Sequence, residues 1–401
     1  MEPLKKVLLF DLSAAQSPKH GSKYGGMILY STAIFIKLVR KLRSNIDLKV
    51  IYIPENYMIP LLYDICREHH IEMIEATETT LIDVVNKIKP DLFFTPNPTK
   101  RTIIQNHNIK MLTVCHDIRT TEIYFDPLYW RFISEWKDWV FLFDSIVFKG
   151  YFQKKNMMNI SKRYIGHDNI FFIAVSQHTK HHVIVHFPQY RNKEIKVFFS
   201  PMLELLSENM EEASFSELPR DLRKGKYFFM DSGWRWSKND LRAAIALDSI
   251  FSDYPNLDYK VVITGVKNKN AYFPYLKNRD KFILLQYVER DMLNTLHKEA
   301  RATIYPTLGE GFGYTPMESF KYGVPVIAAC NSSVPEVCGD AALYVNPYSI
   351  QELKNRCLQM LDDKIHSFYA EKSLPRYEFI RKEQLSHLEQ FVEYIQDMTT
   401  S

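Results

Sequence analysis

A chain of 401 residues is too long for one ordinary hydrophobic core and suits two domains of about 150 to 200 residues each. With 46% hydrophobic and 24% charged residues the composition is that of a globular protein in water, and no window comes near the ~18 uncharged residues that a membrane-spanning helix needs. The net charge of +4 is unevenly placed, +8 over residues 1–200 and −4 over residues 201–401, which either suits the first half to an acidic surface or is ordinary scatter of solvated charge.

Cys66, Cys115, Cys330, Cys338 and Cys357 are odd in number and lack C-x-x-C spacing. They suggest neither a disulfide framework nor a zinc site, and they fit a reducing cytoplasm. Lys5 and Lys6 precede a run of only four apolar residues before Asp11, too few for a signal-peptide core, so this run reads as the first buried strand.

From residue 6 onward short apolar runs alternate with helical periods, the pattern of a parallel sheet covered on both faces. Strands are expected at 6–11, 48–53, 71–74, 92–95, 111–115, 170–175 and 195–199. Gly25 and Gly26 open a helix reaching about residue 42, beyond the carboxyl end of the first strand, where open α/β sheets bind ligands. Lys37, Arg40, Lys41 and Arg43 cluster at the end of that helix. A solvated end that complements the helix dipole is preferred there over a face for anionic lipid. The strand 111–115 ends in His116 and Asp117. Ile133, Trp136, Val140, Phe143 and Val147 then recur at helical spacing, and a core stripe is favoured over an acceptor-facing or membrane-facing surface. His178, His182 and His186 share one helical face, but with no carboxylate or cysteine in the stretch a metal site is the minor reading.

Residues 200–225 lose the alternation and turn acidic and polar, which marks a linker. Domains are therefore expected at 1–203 and 204–380, followed by a terminal helix in 381–401. The second series holds strands at 227–230, 259–264, 282–285, 302–305 and 324–329, with helices from about 238, at about 291–300 and at about 384–398.

The densest stretch is residues 305–323, YPTLGEGFGYTPMESFKYG. Gly309, Gly311 and Gly313 form a loop able to bring backbone amides close to a ligand. Thr315 suits a helix N-cap, Pro316 the first helical position, and Glu318, three residues on, completes a capping box. A glycine loop feeding a helix N-terminus is a ready anion site. Glu310 has no structural reason to stand in that loop.

Glu310 and Glu318, separated by seven residues in GEGFGYTPMESF, and the continuation KYGVPVIAACNSSVPEVCGDAALYVNP resemble the retaining glycosyltransferases of family 4. The similarity is specific over about residues 282–347. It is weaker at Gly25-Gly26, at His116-Asp117, at the strand ending Ala174-Val175-Ser176 and at the SKN of residues 237–239. It implies the α/β fold called GT-B, two facing Rossmann-like domains with parallel sheets and a C-terminal helix that crosses back to the N-terminal domain. The implied activity is transfer of a mannose-like or glucose-like hexose, with retention, from a nucleotide-diphosphate sugar to a glycan or lipid-linked oligosaccharide acceptor in cell-surface polysaccharide synthesis. The same plan serves nucleotide-sugar epimerases and glycan phosphorylases, which form the alternative.

By the resemblance, Glu310 lies against the donor sugar, Glu318 binds the ribose hydroxyls, and Gly311, Phe312 and Gly313 hold the diphosphate or sugar. Lys238 neutralises the leaving diphosphate. Arg235 stands shortly before it, where the family supplies a partner arginine, though not in register with it. His116 contacts the donor sugar, Gly25 and Gly26 lie beside the phosphates and acceptor, and Tyr287 and Val288 fall where the nucleotide base rests. No cofactor beyond the nucleotide-sugar co-substrate is implied. No Asp-x-Asp follows a strand, so a metal-free reaction is expected, with no nucleic-acid partner. The expected place is the cytoplasm, at the inner face of the cell membrane with peripheral contact.

Overall fold

The computed structural model of the chain describes residues 5–17, 25–98, 108–123, 126, 128–133, 135–164, 167–202, 218–219 and 222–401. They fall into two compact units, one built from residues 1–118, 156–208 and 381–401, the other from residues 119–155 and 209–380.

The first unit is a six-stranded parallel sheet of β1 (Lys6–Asp11), β2 (Ile46–Tyr52), β3 (Glu72–Glu75), β4 (Leu92–Thr95), β5 (Lys110–Cys115) and β6 (Ile170–Ala174), in the order β3-β2-β1-β4-β5-β6. β1 shows why the sheet is buried on both faces. Leu8 and Phe10 join the core beneath the helix Gly26–Arg40, while Leu9, pointing the other way, joins the core beneath Leu81–Ile88. The strand order reverses between β1 and β4, which leaves a crevice at their carboxyl ends. Asp11, the last residue of β1, is buried there and accepts hydrogen bonds from the Ser13 amide at 3.2 Å and the Thr95 hydroxyl at 2.7 Å.

Two expectations fail in this unit. Residues 195–199 form no strand; they contribute one bridge, Ala174 to Val197. Phe198 instead stacks on Phe391 at 5.0 Å, and the Phe199 amide donates to His387 Nδ1 at 3.0 Å. The basic end of the helix Gly26–Arg40 is not simply solvated either. Lys37 and Lys41 pair with Glu389, and Arg43 pairs with Asp397 at 2.7 Å, so acidic residues of the terminal helix occupy this cluster.

The second unit repeats the plan with β7 (Tyr227–Asp231), β8 (Lys260–Thr264), β9 (Phe282–Leu284), β10 (Ala302–Tyr305), β11 (Val326–Ala329) and β12 (Ala342–Val345), in the order β9-β8-β7-β10-β11-β12. β12 is absent from the sequence reading because its four residues follow Gly339 and Asp340 with no helical period to frame them.

A single boundary near residue 203 would assign residues 119–155 to the first domain, yet they pack with the second. Arg242 and Asp126 form a buried ion pair at 2.8 Å, Phe132 enters the core of the second sheet, and Tyr129 meets Trp236 edge-on at 5.2 Å. The aromatic stripe of this segment is not core. On the helix Trp136–Val147 the residues Trp136, Trp139, Val140, Phe143, Ile146 and Val147 are all more than half exposed. The terminal helix is far longer than its periodicity suggests, running 38 residues from Asp363 to Thr400 through Pro375. Its part from residue 381 belongs to the first unit and supplies Phe391, Val392 and Ile395 to that core.

Candidate active site

In the second unit the strand order reverses between β7 and β10, and the chain leaving each strand lies at that switch point. From β10 the chain runs through Pro306–Gly313, a loop buried apart from the partly exposed Glu310. A buried loop must satisfy its polar groups, and two other loops do this. From the segment after β7, the Ser237 carbonyl accepts from the Leu308 amide at 2.8 Å and the Thr307 hydroxyl at 3.1 Å, and Asn239 Nδ2 donates to the Pro306 carbonyl at 2.8 Å. From the segment after β11, Asn331 Nδ2 donates to the Leu308 carbonyl, Ser333 Oγ donates to the carbonyls of Glu310 and Phe312, and Ser332 Oγ accepts from the Glu310 amide at 3.1 Å. Gly309 has little room for a side chain, since a Cβ would lie 3.4 Å from Arg119 and Ile123.

This clamp fixes Glu310. Its carboxylate lies 2.9 Å from Lys238 Nζ and 3.9 Å from Arg119, and it accepts from the Thr307 hydroxyl at 3.1 Å. Lys238, itself buried, stands over the Tyr305 ring and donates to its hydroxyl at 3.3 Å. Burial alone would raise the Glu310 pKa, but the charges of Lys238, Arg235 and Arg119 outweigh it and hold the acid at about 2. Glu310 is therefore a fixed anion at neutral pH, surrounded by three cations. Such a cradle has positive charge to spare.

Glu318 faces a different set. It pairs with Arg290 at 2.6 Å and lies 3.5 Å from the buried His297, whose Nδ1 is 2.8 Å from Ser319 Oγ. Burial opposes its ionisation, and the Arg290 charge leads the groups that lower its pKa to about 2. The capping box is overturned. The helix runs Tyr314–Phe320 with Gly313 as its N-cap at φ +106°, and no side chain caps it. The left-handed glycine starts the helix ahead of Thr315, and Arg290 takes the carboxylate that the box would have used. At seven residues the helix has a weak macrodipole, so the positive field here comes chiefly from side chains.

Glu310, Lys238 and Arg235 are thus brought together. Phe312 is buried in the loop, and Gly311 and Gly313 flank it. Tyr287, 59% exposed, and the half-buried Val288 lie on the stretch leading into the helix Arg290–Lys298, whose first residue pairs with Glu318. Lys238 ends a short turn, Trp236–Lys238, rather than opening the helix, which begins at Asp240. Arg119, Arg290 and Thr307 escaped the sequence reading. The two arginines stand in MLTVCHDIR and YVERDM with no glycine or motif spacing to mark them, although a buried carboxylate pair calls for cationic partners.

The other residues singled out in the sequence lie in the first unit. His116 follows β5; its Nε2 lies 2.9 Å from the Pro96 carbonyl and its ring meets Tyr30 edge-on at 4.7 Å. A carbonyl only accepts, so Nε2 carries the proton. Burial lowers the His116 pKa against the opposing effects of Pro96 and Asp117, and the neutral ring presents Nδ1 as an acceptor. Gly25 caps the helix that begins at Gly26, and nothing lies within 4 Å of where its Cβ would be.

Residues 246–373 match the model of the family described as glycosyl transferases group 1. Over this segment the chain is similar to the group 1 glycosyltransferases. Among curated proteins, the O-antigen chain mannosyltransferase RfbU of Salmonella typhimurium is 27% identical over 164 residues, 39% of this chain and 45% of that one. The O-antigen chain mannosyltransferase B of Escherichia coli is 39% identical over 79 residues, 20% of this chain and 21% of that one. The chain therefore aligns with less than half the length of these relatives. Among solved structures, HepE of Anabaena in complex with UDP and glucose superposes with a TM-score of 0.60 at 16% identity, covering 98% of this chain and 100% of that one. The fold is GT-B, made of two parallel-sheet α/β domains. Among the described residues, no helix is long and apolar enough to cross a membrane.

Proposed function

We propose that this group 1 glycosyltransferase moves a hexose, mannose or glucose, from a nucleotide-diphosphate sugar to a glycan acceptor during cell-surface polysaccharide synthesis, with retention at the anomeric carbon and without a metal ion. The observation that carries the reading is the buried Glu310 carboxylate held by Lys238, Arg235 and Arg119. The names of the O-antigen mannosyltransferase relatives and the UDP bound to HepE support the donor and acceptor classes.

In such a transfer the bond from the sugar C1 to the diphosphate oxygen breaks and a bond from C1 to an acceptor hydroxyl oxygen forms. The hydroxyl proton leaves with the departing diphosphate or to solvent. Negative charge grows on the leaving group, and Lys238 with Arg235 neutralises it. Positive charge grows at the sugar ring. Glu310, ionised at neutral pH, accepts hydrogen bonds from sugar hydroxyls and stabilises that charge; with a pKa of about 2 it does not serve as a proton donor. Glu318, in sharing its oxygens with Arg290, holds the ribose hydroxyls. Gly311, Phe312 and Gly313 line the diphosphate, Tyr287 and Val288 the base, and His116 with Gly25 and Gly26 serves the sugar and acceptor.

A thermal-shift screen against UDP-, GDP- and dTDP-sugars tests the donor class, since a ligand at one hundred times its dissociation constant stabilises by about 2.7 kcal/mol. Product analysis with the stabilising donor, with and without chelator, follows. No stabilisation by any nucleotide sugar, or transfer that stops with chelator and returns with a divalent cation, would count against the reading.

A further inference from the structure

The helix Arg290–Lys298 sends two side chains to Glu318. Arg290 and His297 are the first and eighth residues of that helix, about two turns apart and so on one side of it, and both meet residues of the helix Tyr314–Phe320. Arg290 Nη1 lies 2.6 Å from Glu318 Oε1, and His297 Nε2 lies 3.5 Å from Oε2. The other ring nitrogen, Nδ1, is 2.8 Å from Ser319 Oγ, which is itself hydrogen-bonded to Thr303 Oγ1 at 2.7 Å, and the ring meets Phe229 edge-on at 4.7 Å. Three elements therefore hold the imidazole in place.

His297 is wholly buried, and among the described residues its Nε2 makes no hydrogen bond of ordinary length. A buried polar atom left unmet is costly, so the polarity of this side chain points to the group that Nε2 faces, the Glu318 carboxylate. A carboxylate only accepts, and the bond that Nε2 offers is an N–H donated to Oε2. Each carboxylate oxygen has two lone pairs. With Arg290 on Oε1 and His297 facing Oε2, one lone pair of each oxygen remains, and the Glu318 side chain keeps 13% of its surface open. Two acceptors side by side, fixed in plane at two points, match a pair of neighbouring hydroxyls.

We infer that His297 is a positioning residue for the ribose of the donor: it fixes the plane of the Glu318 carboxylate so that each oxygen accepts from one of the two adjacent ribose hydroxyls, and it thereby selects ribonucleotide over 2′-deoxyribonucleotide donors. Arg290 by itself holds one oxygen and lets the carboxylate turn about that contact. A second contact, on the other oxygen, stops the rotation. Orientation by a buried neighbour acts through Glu318, since His297 has no exposed surface with which to touch a ligand. The inference rests on the reading that Glu318 holds the ribose hydroxyls.

The test is titration calorimetry of the full chain with UDP and 2′-deoxy-UDP, and with GDP and 2′-deoxy-GDP, taking the base that binds tighter. The wild type is expected to bind the ribonucleotide about tenfold tighter than its 2′-deoxy form, the effect of one hydrogen bond to a charged group. His297→Asn, which reaches Ser319 but stops short of Glu318, should bring the two affinities within about twofold by weakening the ribonucleotide, with turnover at saturating donor little changed. His297→Gln, whose amide reaches toward Glu318, should restore most of the preference. Circular dichroism and melting temperature establish that each variant is folded; if His297→Asn is not, Ser319→Ala, which removes the hydroxyl beside Nδ1, takes its place with a smaller loss of preference expected. An unchanged preference in the folded variant, or a loss of affinity equal for both nucleotides, overturns the inference and leaves Glu318 its role. A wild type that binds the two forms alike, or binds neither, overturns the reading of Glu318 and the inference with it.

Discussion

Asp11 and Glu310 are buried carboxylates at matching places, each beside the reversal of strand order in one of two sheets with the same topology. Burial pushes both toward the neutral acid. Among the described residues Asp11 is met by the hydroxyls of Ser13 and Thr95 and by one amide, and its pKa rises above the usual carboxylate value. Glu310 is met by Lys238, Arg235 and Arg119, and its pKa falls to about 2. A shared sheet therefore provides a place for a site, and the charge of the neighbours decides which chemistry can occupy it.

Removing the cations breaks this contrast most severely. Lys238→Ala is expected to lower the transfer rate about 10²- to 10³-fold, read from product formation at saturating donor. Near wild-type turnover would overturn the role proposed for Lys238 at the leaving group. Glu310→Gln keeps the shape but releases three cations from their anion. It should slow transfer by about a hundredfold while leaving the affinity for a nucleoside diphosphate equal or tighter in titration calorimetry. Weaker diphosphate binding would show that the carboxylate, not the cations, organises that subsite.

Arg290→Ala removes the main partner of Glu318. A destabilisation of about 1–3 kcal/mol in denaturant melts is expected, with weaker donor binding. The two glutamates also sharpen the comparison through pH. Their folded pKa values of about 2 lie below the ordinary 4.5, so they contribute stability that is present above pH 4.5 and lost as pH falls toward 2. Asp11 has the opposite sign. Its folded pKa is raised, so its favourable contribution is present below pH 3.8 and lost as pH rises through the folded value. Asp11→Asn should accordingly shift stability at pH 7 by only about 1 kcal/mol, read from thermal melts, and leave transfer by the second unit's cradle near normal.

The βα alternation was legible in the sequence because strands buried on both faces read as unbroken apolar runs such as VLLF and ATIY. The Glu310 loop was legible because a carboxylate among glycines has no structural purpose of its own. What escaped depended on distant partners. Thr315 and Glu318 have the spacing of a capping box, but Gly313 starts the helix earlier and Arg290 and His297, from another helix, hold the carboxylate. Residues 195–199 have strand composition, but Phe391 and His387 from the terminal helix take their side chains and amide. The stripe at 136–147 has the period of a core helix, and periodicity states which residues share a face without stating what covers it.

The long helix Asp363–Thr400 has a consequence for how the protein is made. Phe391, Val392 and Ile395 belong to the same core as Phe10, Phe35 and Phe94, yet they are synthesised only after the whole of the second unit. The first sheet therefore leaves the ribosome with one side of its core uncovered and must wait for about 180 further residues, from the linker onward, before closing. During synthesis the order of completion runs against the order of first appearance: the residues of the second unit are all made by position 380, and a chain stopped before residue 391 leaves the first core without Phe391, Val392 and Ile395.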